Sequence, residues 1–216
     1  NPTREVLENL LMYRLTLDKK YIKEIEISNK EQYFAKDIIK FTEKELFVDC
    51  GAFDGDTYEI FSSLVNNKFE KYYAFEPDSS NYKSLCLKTK VNESVEVVNK
   101  GLWNETKTLY FNSTSNHTSK IDTKGTIEVN VIALDDLKLF PTFIKMDIEG
   151  SELEALKGMK KTIEKHKPNL ALSVYHKPND LFEIADYILS INPNYKVYLR
   201  HYSNDIFDTI AYFLEN

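Results

Sequence analysis

The chain has 216 residues, of which 42% are hydrophobic and 29% are charged, and this balance is typical of one folded domain rather than a disordered chain. The formal net charge of -6 disfavours nucleic acid as a partner, since proteins that bind it usually present a basic face. No apolar run approaches the about 20 residues that span a bilayer. Two cysteines, Cys50 and Cys86, are too few for a disulfide framework and favour a reducing cytoplasm.

Two helices are predicted at the start of the chain. Apolar residues at helical spacing predict the first helix over residues 4–16. The second is predicted from Ser28 or Asn29, either of which could cap it, through Ile39. Together they form a helical lead-in over residues 1–44, followed by one domain over residues 45–216.

Beyond residue 44, short apolar runs alternate with segments of helical spacing. Strands are predicted over residues 46–50, 71–76, 95–99, 108–111, 127–132, 143–147, 170–175, 195–200 and 209–214. Helices are predicted over residues 57–66, 78–90, 151–166 and 181–189. This alternation predicts an α/β domain whose mostly parallel sheet is covered by helices on both faces. The runs 108–111 and 127–132 form a β-hairpin insertion around a polar loop that contains His117.

The first strand of this domain ends in a turn built around two glycines. Gly51 and Gly55 frame the turn, with the acids Asp49, Asp54 and Asp56 around it. Small residues between a first strand and a helix let a ligand approach the backbone. The second strand ends in Glu76, about 20 residues later, where a carboxylate can bind both hydroxyls of a ribose. The alternative is a capped turn with a solvated acid.

Two nucleotide-type cofactors are compatible with this arrangement. A dinucleotide needs the spacing G-x-G-x-x-G so that a helix N-terminus can hold its pyrophosphate. Here the third glycine is missing, and three acids beside a pyrophosphate would repel it. The same acids suit a cationic ligand, such as the sulfonium and amino groups of S-adenosylmethionine.

Another acidic segment follows the strand at 143–147. Because the carboxyl ends of parallel strands face the ligand crevice, Asp147 and Glu149 are expected to enter it. Glu152 would lie in the first turn of the next helix, where the helix dipole favours an acid, so a capping role and a functional role both remain open.

These segments together resemble the FkbM family of S-adenosylmethionine-dependent methyltransferases, from about Phe47 to Phe213. The motifs that carry the resemblance are Val48-Asp49-Cys50-Gly51-Ala52 with Gly55-Asp56, Phe75-Glu76-Pro77, Ile144-Lys145-Met146-Asp147-Ile148-Glu149-Gly150-Ser151-Glu152, Val174-Tyr175-His176-Lys177-Pro178 with Asp180-Leu181, and Tyr198-Leu199-Arg200-His201-Tyr202. The sequence departs from the commonest family pattern at Phe53-Asp54, where small or amide residues often occur.

The resemblance implies a class I, Rossmann-like methyltransferase fold with a seven-stranded sheet whose last strand is antiparallel. It also implies methyl transfer from S-adenosylmethionine to an oxygen, often a hydroxyl of a sugar or a similar small metabolite. The residues that match the expected cofactor-binding positions are Asp49, Cys50, Gly51, Ala52, Gly55, Asp56, Thr57, Glu76, Pro77, Asp78, Gly101, Leu102 and Asp147. Gly101 and Leu102 would lie against the adenine, whereas core packing is expected to explain Trp103.

Methylation of a weakly acidic hydroxyl is helped by a general base. The candidates are His176, Asp147 and Glu149. The alternative for His176 is a ring that packs against Tyr175 and bonds to backbone. Asp147 and Glu149 could instead hold Mg²⁺, which prefers oxygen ligands, but structural or substrate hydrogen bonds are the favoured alternative.

Two other functions remain open at this point. One is a nicotinamide-dependent oxidoreductase, which the missing third glycine disfavours. The other is a non-catalytic binding module on a methyltransferase-like fold, which the retained loop, Glu76 and Asp147 disfavour. The expected partner is a small-molecule or saccharide acceptor, and the sequence predicts neither its identity nor an oligomeric state.

Overall fold

A twisted seven-stranded sheet forms the centre of the computed structural model, which describes residues 2–28, 32–111 and 127–215. From one edge to the other, its strands are Val95–Val98 (β3), Lys71–Phe75 (β2), Leu46–Cys50 (β1), Phe143–Met146 (β7), Asn169–Ser173 (β8), Thr209–Leu214 (β10) and Lys196–His201 (β9). The first five are mutually parallel, and β10 runs antiparallel to both of its neighbours. The predicted mostly parallel sheet with an antiparallel last strand is confirmed.

Eight helices occur in the described residues. They are Pro2–Thr16 (α1), Lys20–Lys23 (α2), Asp56–Leu64 (α3), Ser79–Thr89 (α4), Leu134–Leu137 (α5), Glu152–Lys157 (α6), Lys160–His166 (α7) and Asp180–Ile191 (α8). None of these described helices has the length and apolar character that crossing a membrane requires.

Alternate residues of the central strands build two apolar cores, one on each face of the sheet. Val48 of β1 belongs to the core covered by α1 and α6–α8, and its neighbour Phe47 to the core covered by α3 and α4. Since successive side chains of a strand point to opposite faces, a strand covered on both sides is apolar throughout. This explains why β1 and β7 are apolar except at Asp49 and Lys145, which are buried and pair with each other.

A smaller three-stranded sheet carries the predicted hairpin insertion. Its strands are Gly101–Leu102 (β4), Lys107–Phe111 (β5) and Ile127–Ile132 (β6), in the order β4-β6-β5. β5 and β6 pair antiparallel, as predicted for a hairpin, and β4 pairs parallel to β6. The connecting loop with His117 lies outside the described residues.

The predicted second helix is wrong where the structure describes it. Residues 32–39 form turns joined by irregular chain, and the short α2 lies earlier in the chain, while residues 29–31 fall outside the description. Tyr33, Phe34 and Ala35 are all buried. A helix packed on a sheet buries only one face, and three consecutive helical residues point in different directions around its axis. Tyr33 also has a left-handed backbone with φ of 66°, which an α-helix of L-residues does not contain.

The helix predicted over residues 151–166 is two helices, α6 and α7, which meet near Gly158. A Cβ atom at Gly158 would lie 1.9 Å from the carbonyl oxygen of Trp103, so this backbone approach requires glycine. The Asp135 carboxylate then accepts hydrogen bonds from the Lys161 and Thr162 N–H groups at the start of α7, at 3.1 and 2.8 Å. These contacts with distant residues, rather than local helix propensity, interrupt the helix.

Candidate functional site

A cleft of about 740 Å³ lies beside the carboxyl ends of β1, β2 and β7. This is where ligands bind in open α/β sheets. Nine of the predicted cofactor-binding and catalytic residues line the cleft: Gly51, Asp56, Thr57, Glu76, Pro77, Gly101, Leu102, Asp147 and Glu149. Trp103 lines it as well, although core packing was the expectation for that residue.

The turn after β1 depends on Gly51. Gly51 has a φ of 82°, and a Cβ atom there would lie 1.9 Å from the carbonyl oxygen of Asp147. The N–H groups of Gly51 and Ala52 both donate to the carbonyl oxygen of Phe75, each at 3.0 Å. The turn therefore brings the ends of β1, β2 and β7 into direct contact.

Five of the predicted cofactor-binding residues do not line the cleft. Asp49, Cys50 and Ala52 are fully buried; burial raises the pKa of the Cys50 thiol well above its usual value. Gly55 precedes α3 and packs against Leu85 of α4. Asp78 caps α4 and accepts hydrogen bonds from the N–H groups of residues 80 and 81. These residues hold the walls of the site in place without reaching into it.

A buried ion pair between Lys145 and Asp49 holds the turn at Gly51 in place. Lys145 Nζ lies 3.0 Å from Asp49 Oδ1 and donates to the carbonyl oxygen of Gly51 at 2.7 Å. The Tyr72 hydroxyl donates to Asp49 Oδ2 at 2.6 Å. Burial raises the pKa of Asp49 despite these partners. Burial alone lowers the pKa of Lys145, but the charges of Asp49 and Asp147 outweigh it and the pKa is raised.

Glu76 follows β2 and presents a carboxylate that the backbone fixes. Its Oε2 accepts from the N–H of Phe53 and its Oε1 from the N–H of Asp78, both at 2.9 Å. Burial raises its pKa, although these two hydrogen bonds lower it. A carboxylate has about four lone-pair positions, so both oxygens can still accept hydroxyl groups from the cleft. Phe53, at the departure from the family pattern, lines the cleft beside it.

Asp147 follows β7 and is surrounded by hydrogen-bond donors. The Tyr33 hydroxyl donates to its Oδ2 at 2.6 Å, and the Tyr175 hydroxyl donates to its Oδ1 at 3.3 Å. His176 Nε2 lies 3.3 Å from the same Oδ1. The Asp147 side chain remains 25% exposed and lines the cleft, so one side of the carboxylate faces the cleft.

His176 lies behind Asp147, with its side chain 10% exposed. Its Nδ1 is 2.9 Å from Glu152 Oε1, and its Nε2 is 3.7 Å from Glu149 Oε2. Burial alone lowers the pKa of His176, but the close contact with the Glu152 carboxylate, with the charges of Asp147 and Glu149, outweighs it and raises the pKa. The sequence correctly places His176 at the same edge as Asp147, but the ring contacts carboxylates rather than backbone.

Comparison with known proteins identifies the architecture. The family model described as the methyltransferase FkbM domain matches residues 49–202. The chain belongs to the FkbM methyltransferase family. The structure of methyltransferase FkbM from Methylobacillus flagellatus KT is 33% identical, with a TM-score of 0.87 over 99% of this chain and 55% of that one. Comparison with curated proteins gives no match.

Two more distant structures share the fold with this FkbM chain. The fibrillarin of Aeropyrum pernix, with natively bound S-adenosyl-L-methionine, is 10% identical, with a TM-score of 0.54 over 87% of this chain and 74% of that one. An rRNA methylase from Streptococcus thermophilus is 14% identical, with a TM-score of 0.52 over 81% of this chain and 87% of that one. FkbM membership favours methyl transfer over the nicotinamide-dependent alternative.

The Mg²⁺ alternative for Asp147 and Glu149 is not supported in this FkbM chain, because Glu149 is not part of the described cluster of donor atoms. Glu149 is 79% exposed. The described donor atoms that lie within 4.8 Å of one another belong to Asp147, Glu152 and His176 instead. The His176 ring lies between the two carboxylates and contacts both, whereas Mg²⁺ needs an octahedral set of oxygens.

Several residues that line the FkbM cleft were missed by sequence reasoning. They come from segments without a recognisable motif: Gln32 and Tyr33 from the lead-in, and Asp208 from the turn before β10. Their positions depend on how residues 1–44 cross the sheet, and no local sequence pattern predicts the course of that segment. Both Tyr33 and Asp208 have positive φ values, of 66° and 58°, and each is held by a hydrogen bond to a residue distant in sequence: Tyr33 donates to Asp147, and Asp208 accepts from Gln32.

Proposed function

We propose that this chain is an S-adenosylmethionine-dependent O-methyltransferase that methylates a hydroxyl of a saccharide or a similar small metabolite. The observation that carries the proposal is the pairing of two carboxylates across one cleft. Glu76 lies at the end of β2, with both oxygens oriented by backbone N–H groups. Asp147 lies at the end of β7 and is partly exposed to the same cleft.

The residues present fit the proposed cofactor. Glu76 would bind the ribose diol, because each carboxylate oxygen can accept one hydroxyl in addition to its backbone donor. Gly101 and Leu102 would lie against the adenine, and Asp56 would face the positively charged methionine end. The group supplies an electrophilic methyl carbon on a sulfonium. Lys145 also lines the cleft, but Asp49 compensates its charge, so the walls favour a cation.

The same walls support a neutral acceptor. The acids that line the cleft are Asp56, Glu76, Asp147, Glu149 and Asp208. A phosphorylated or carboxylated acceptor would meet repulsion from these groups, whereas a hydroxyl compound would find hydrogen-bond acceptors. In the transfer, the acceptor oxygen would bond to the methyl carbon as the carbon–sulfur bond breaks with its electron pair left on sulfur, and the hydroxyl proton would pass to a protein base. Alignment of these atoms supplies much of the rate.

The test combines cofactor binding with product detection. Calorimetry with S-adenosylhomocysteine should show one site per chain, and methyl glycosides incubated with labelled S-adenosylmethionine should yield methyl ethers by mass spectrometry. No binding of either cofactor form would contradict the proposal. Binding without transfer to any hydroxyl compound would favour a non-catalytic module instead.

A further inference from the structure

Glu152 carries a carboxylate that is almost completely buried, with a side-chain exposure of 1%. Its Oε1 accepts from the N–H groups of Ile148 and Gly150, at 3.0 and 3.3 Å. Its Oε2 has no hydrogen-bond partner among the described residues. Asp180, a second buried acid nearby, has its pKa raised by burial and further by the charge of Glu152. A buried carboxylate in this setting requires a positive partner.

His176 is that partner, and both of its ring nitrogens face carboxylate oxygens. Nδ1 lies 2.9 Å from Glu152 Oε1, and Nε2 lies 3.3 Å from Asp147 Oδ1 and 3.7 Å from Glu149 Oε2. A neutral imidazole has one donor and one lone pair, so one nitrogen would oppose a carboxylate oxygen without a proton between them. Only the imidazolium presents a proton and a positive charge to the carboxylates on both sides, and its Nδ1 contact with Glu152 is an ion-pair contact rather than a well-aligned hydrogen bond.

The remaining groups around the His176 ring also favour its protonated form. The Tyr175 ring lies 4.2 Å from the imidazole, centre to centre, and its hydroxyl donates to Asp147. Asp180 and Asp208 add negative charge that His176 partly offsets. Lys177 is the neighbouring cation, and its charge acts on Asp180. Among the charged groups that interact with His176 or with its neighbouring acids, the acids therefore outnumber the cations.

We infer that Glu152 holds His176 as an imidazolium, that His176 positions Asp147, and that Asp147 is the group that accepts the hydroxyl proton in the proposed methyl transfer. This assignment deepens the proposed function and rests on it. The acceptor hydroxyl becomes strongly acidic only as its oxygen bonds to the methyl carbon, so a weakly basic carboxylate suffices to take the proton. Asp147 also lines the cleft, whereas His176 lies behind it.

The charge of His176 can be measured without any acceptor. In protein labelled with ¹⁵N-histidine, with the signals of His176 assigned through a His176→Gln variant, both ring nitrogens should resonate as protonated at pH 7. Glu152→Gln should lower the titration midpoint by about 1 pH unit or more, as expected when an opposite charge in contact is removed. Glu154→Gln, on the same helix and paired with Lys157, should leave the midpoint unchanged. A neutral ring at pH 7 would overturn the inference.

The pH dependence of transfer separates the two candidate bases. If the imidazolium is the active form, the rate of labelled methyl transfer to a methyl glycoside falls as the pH rises through the His176 midpoint. In Glu152→Gln, that fall moves to lower pH. If neutral His176 is the base, the rate instead rises through the same midpoint, and the assignment of Asp147 is wrong.

Two controls keep these outcomes distinct. If Glu152→Gln fails to fold, Asp147→Asn removes the opposite carboxylate and should also lower the His176 midpoint. If His176 titrates as expected but no hydroxyl compound is methylated, the proposed function and the role of Asp147 are both overturned, while the imidazolium is confirmed.

Discussion

Replacing Glu76 by Gln tests the proposed cofactor site at a carboxylate whose two oxygens are both held by backbone N–H groups. In the wild type, each carboxylate oxygen accepts one backbone N–H at 2.9 Å, from Phe53 and Asp78. Glutamine keeps the size of the side chain, but its NH₂ group replaces one of these acceptors, so a donor faces a backbone donor. The same change removes the negative charge that a ribose diol would contact.

The expected loss follows from the hydrogen bonds involved. A hydrogen bond to a charged group contributes about 1.5–3 kcal/mol, so losing one cofactor contact should weaken binding about 10- to 150-fold. Calorimetry with S-adenosylhomocysteine measures the Kd directly. Glu96→Gln on the neighbouring β3 is the matched control, since Glu96 is exposed and lies 3.9 Å from Lys71, and its Kd should not change. An unchanged Kd in a folded Glu76→Gln protein would refute the ribose-binding role.

Three further predictions concern the surroundings of Asp147. Gly51→Ala should destabilise the protein by at least about 2 kcal/mol in urea unfolding, because its Cβ would lie 1.9 Å from the Asp147 carbonyl oxygen and its φ is 82°. Tyr33→Phe should reduce methyl transfer about 10-fold by removing the 2.6 Å hydrogen bond to Asp147, a loss of about 1.4 kcal/mol, with S-adenosylhomocysteine binding unchanged. Since the pKa of His176 is raised on folding, its stabilisation is present below its unfolded pKa and is lost as the pH rises through the folded one. The fall in melting temperature over that range should be smaller in Glu152→Gln.

Each of these three predictions has a result that would contradict it. A Gly51→Ala protein as stable as the wild type would mean that the turn relaxes without cost. Equal losses of cofactor binding and transfer in Tyr33→Phe would indicate a general structural role for that hydroxyl. A melting temperature that rises with pH through the His176 midpoint would contradict the imidazolium.

The central sheet could be predicted because each of its strands is marked by a local sequence pattern. β1 and β7 are short runs that are apolar except for Asp49 and Lys145, each is followed by a glycine-containing turn, and their apolar side chains fill cores on both faces. The lead-in was not predictable to the same extent. Tyr33, Phe34 and Ala35 are three consecutive apolar or aromatic residues. The spacing of apolar residues alone cannot distinguish a helix from a turn that packs against a sheet. The break at Gly158 likewise depends on the backbone of Trp103, more than 50 residues away along the chain.

The acids of the site show why a motif locates a site more reliably than it assigns a role. Asp49 and Glu76 both belong to the motifs that identified the cleft, yet only Glu76 lines it. Asp49 is the fourth residue of β1, paired on one side with Ala74 and on the other with Lys145, so its side chain is enclosed and requires a buried cation. Glu76 and Asp147 each follow the last residue of their strands, where the backbone leaves the sheet and a side chain can reach a ligand. The position relative to the strand end, rather than the residue type, therefore separates the acids that support the fold from those that face the cleft.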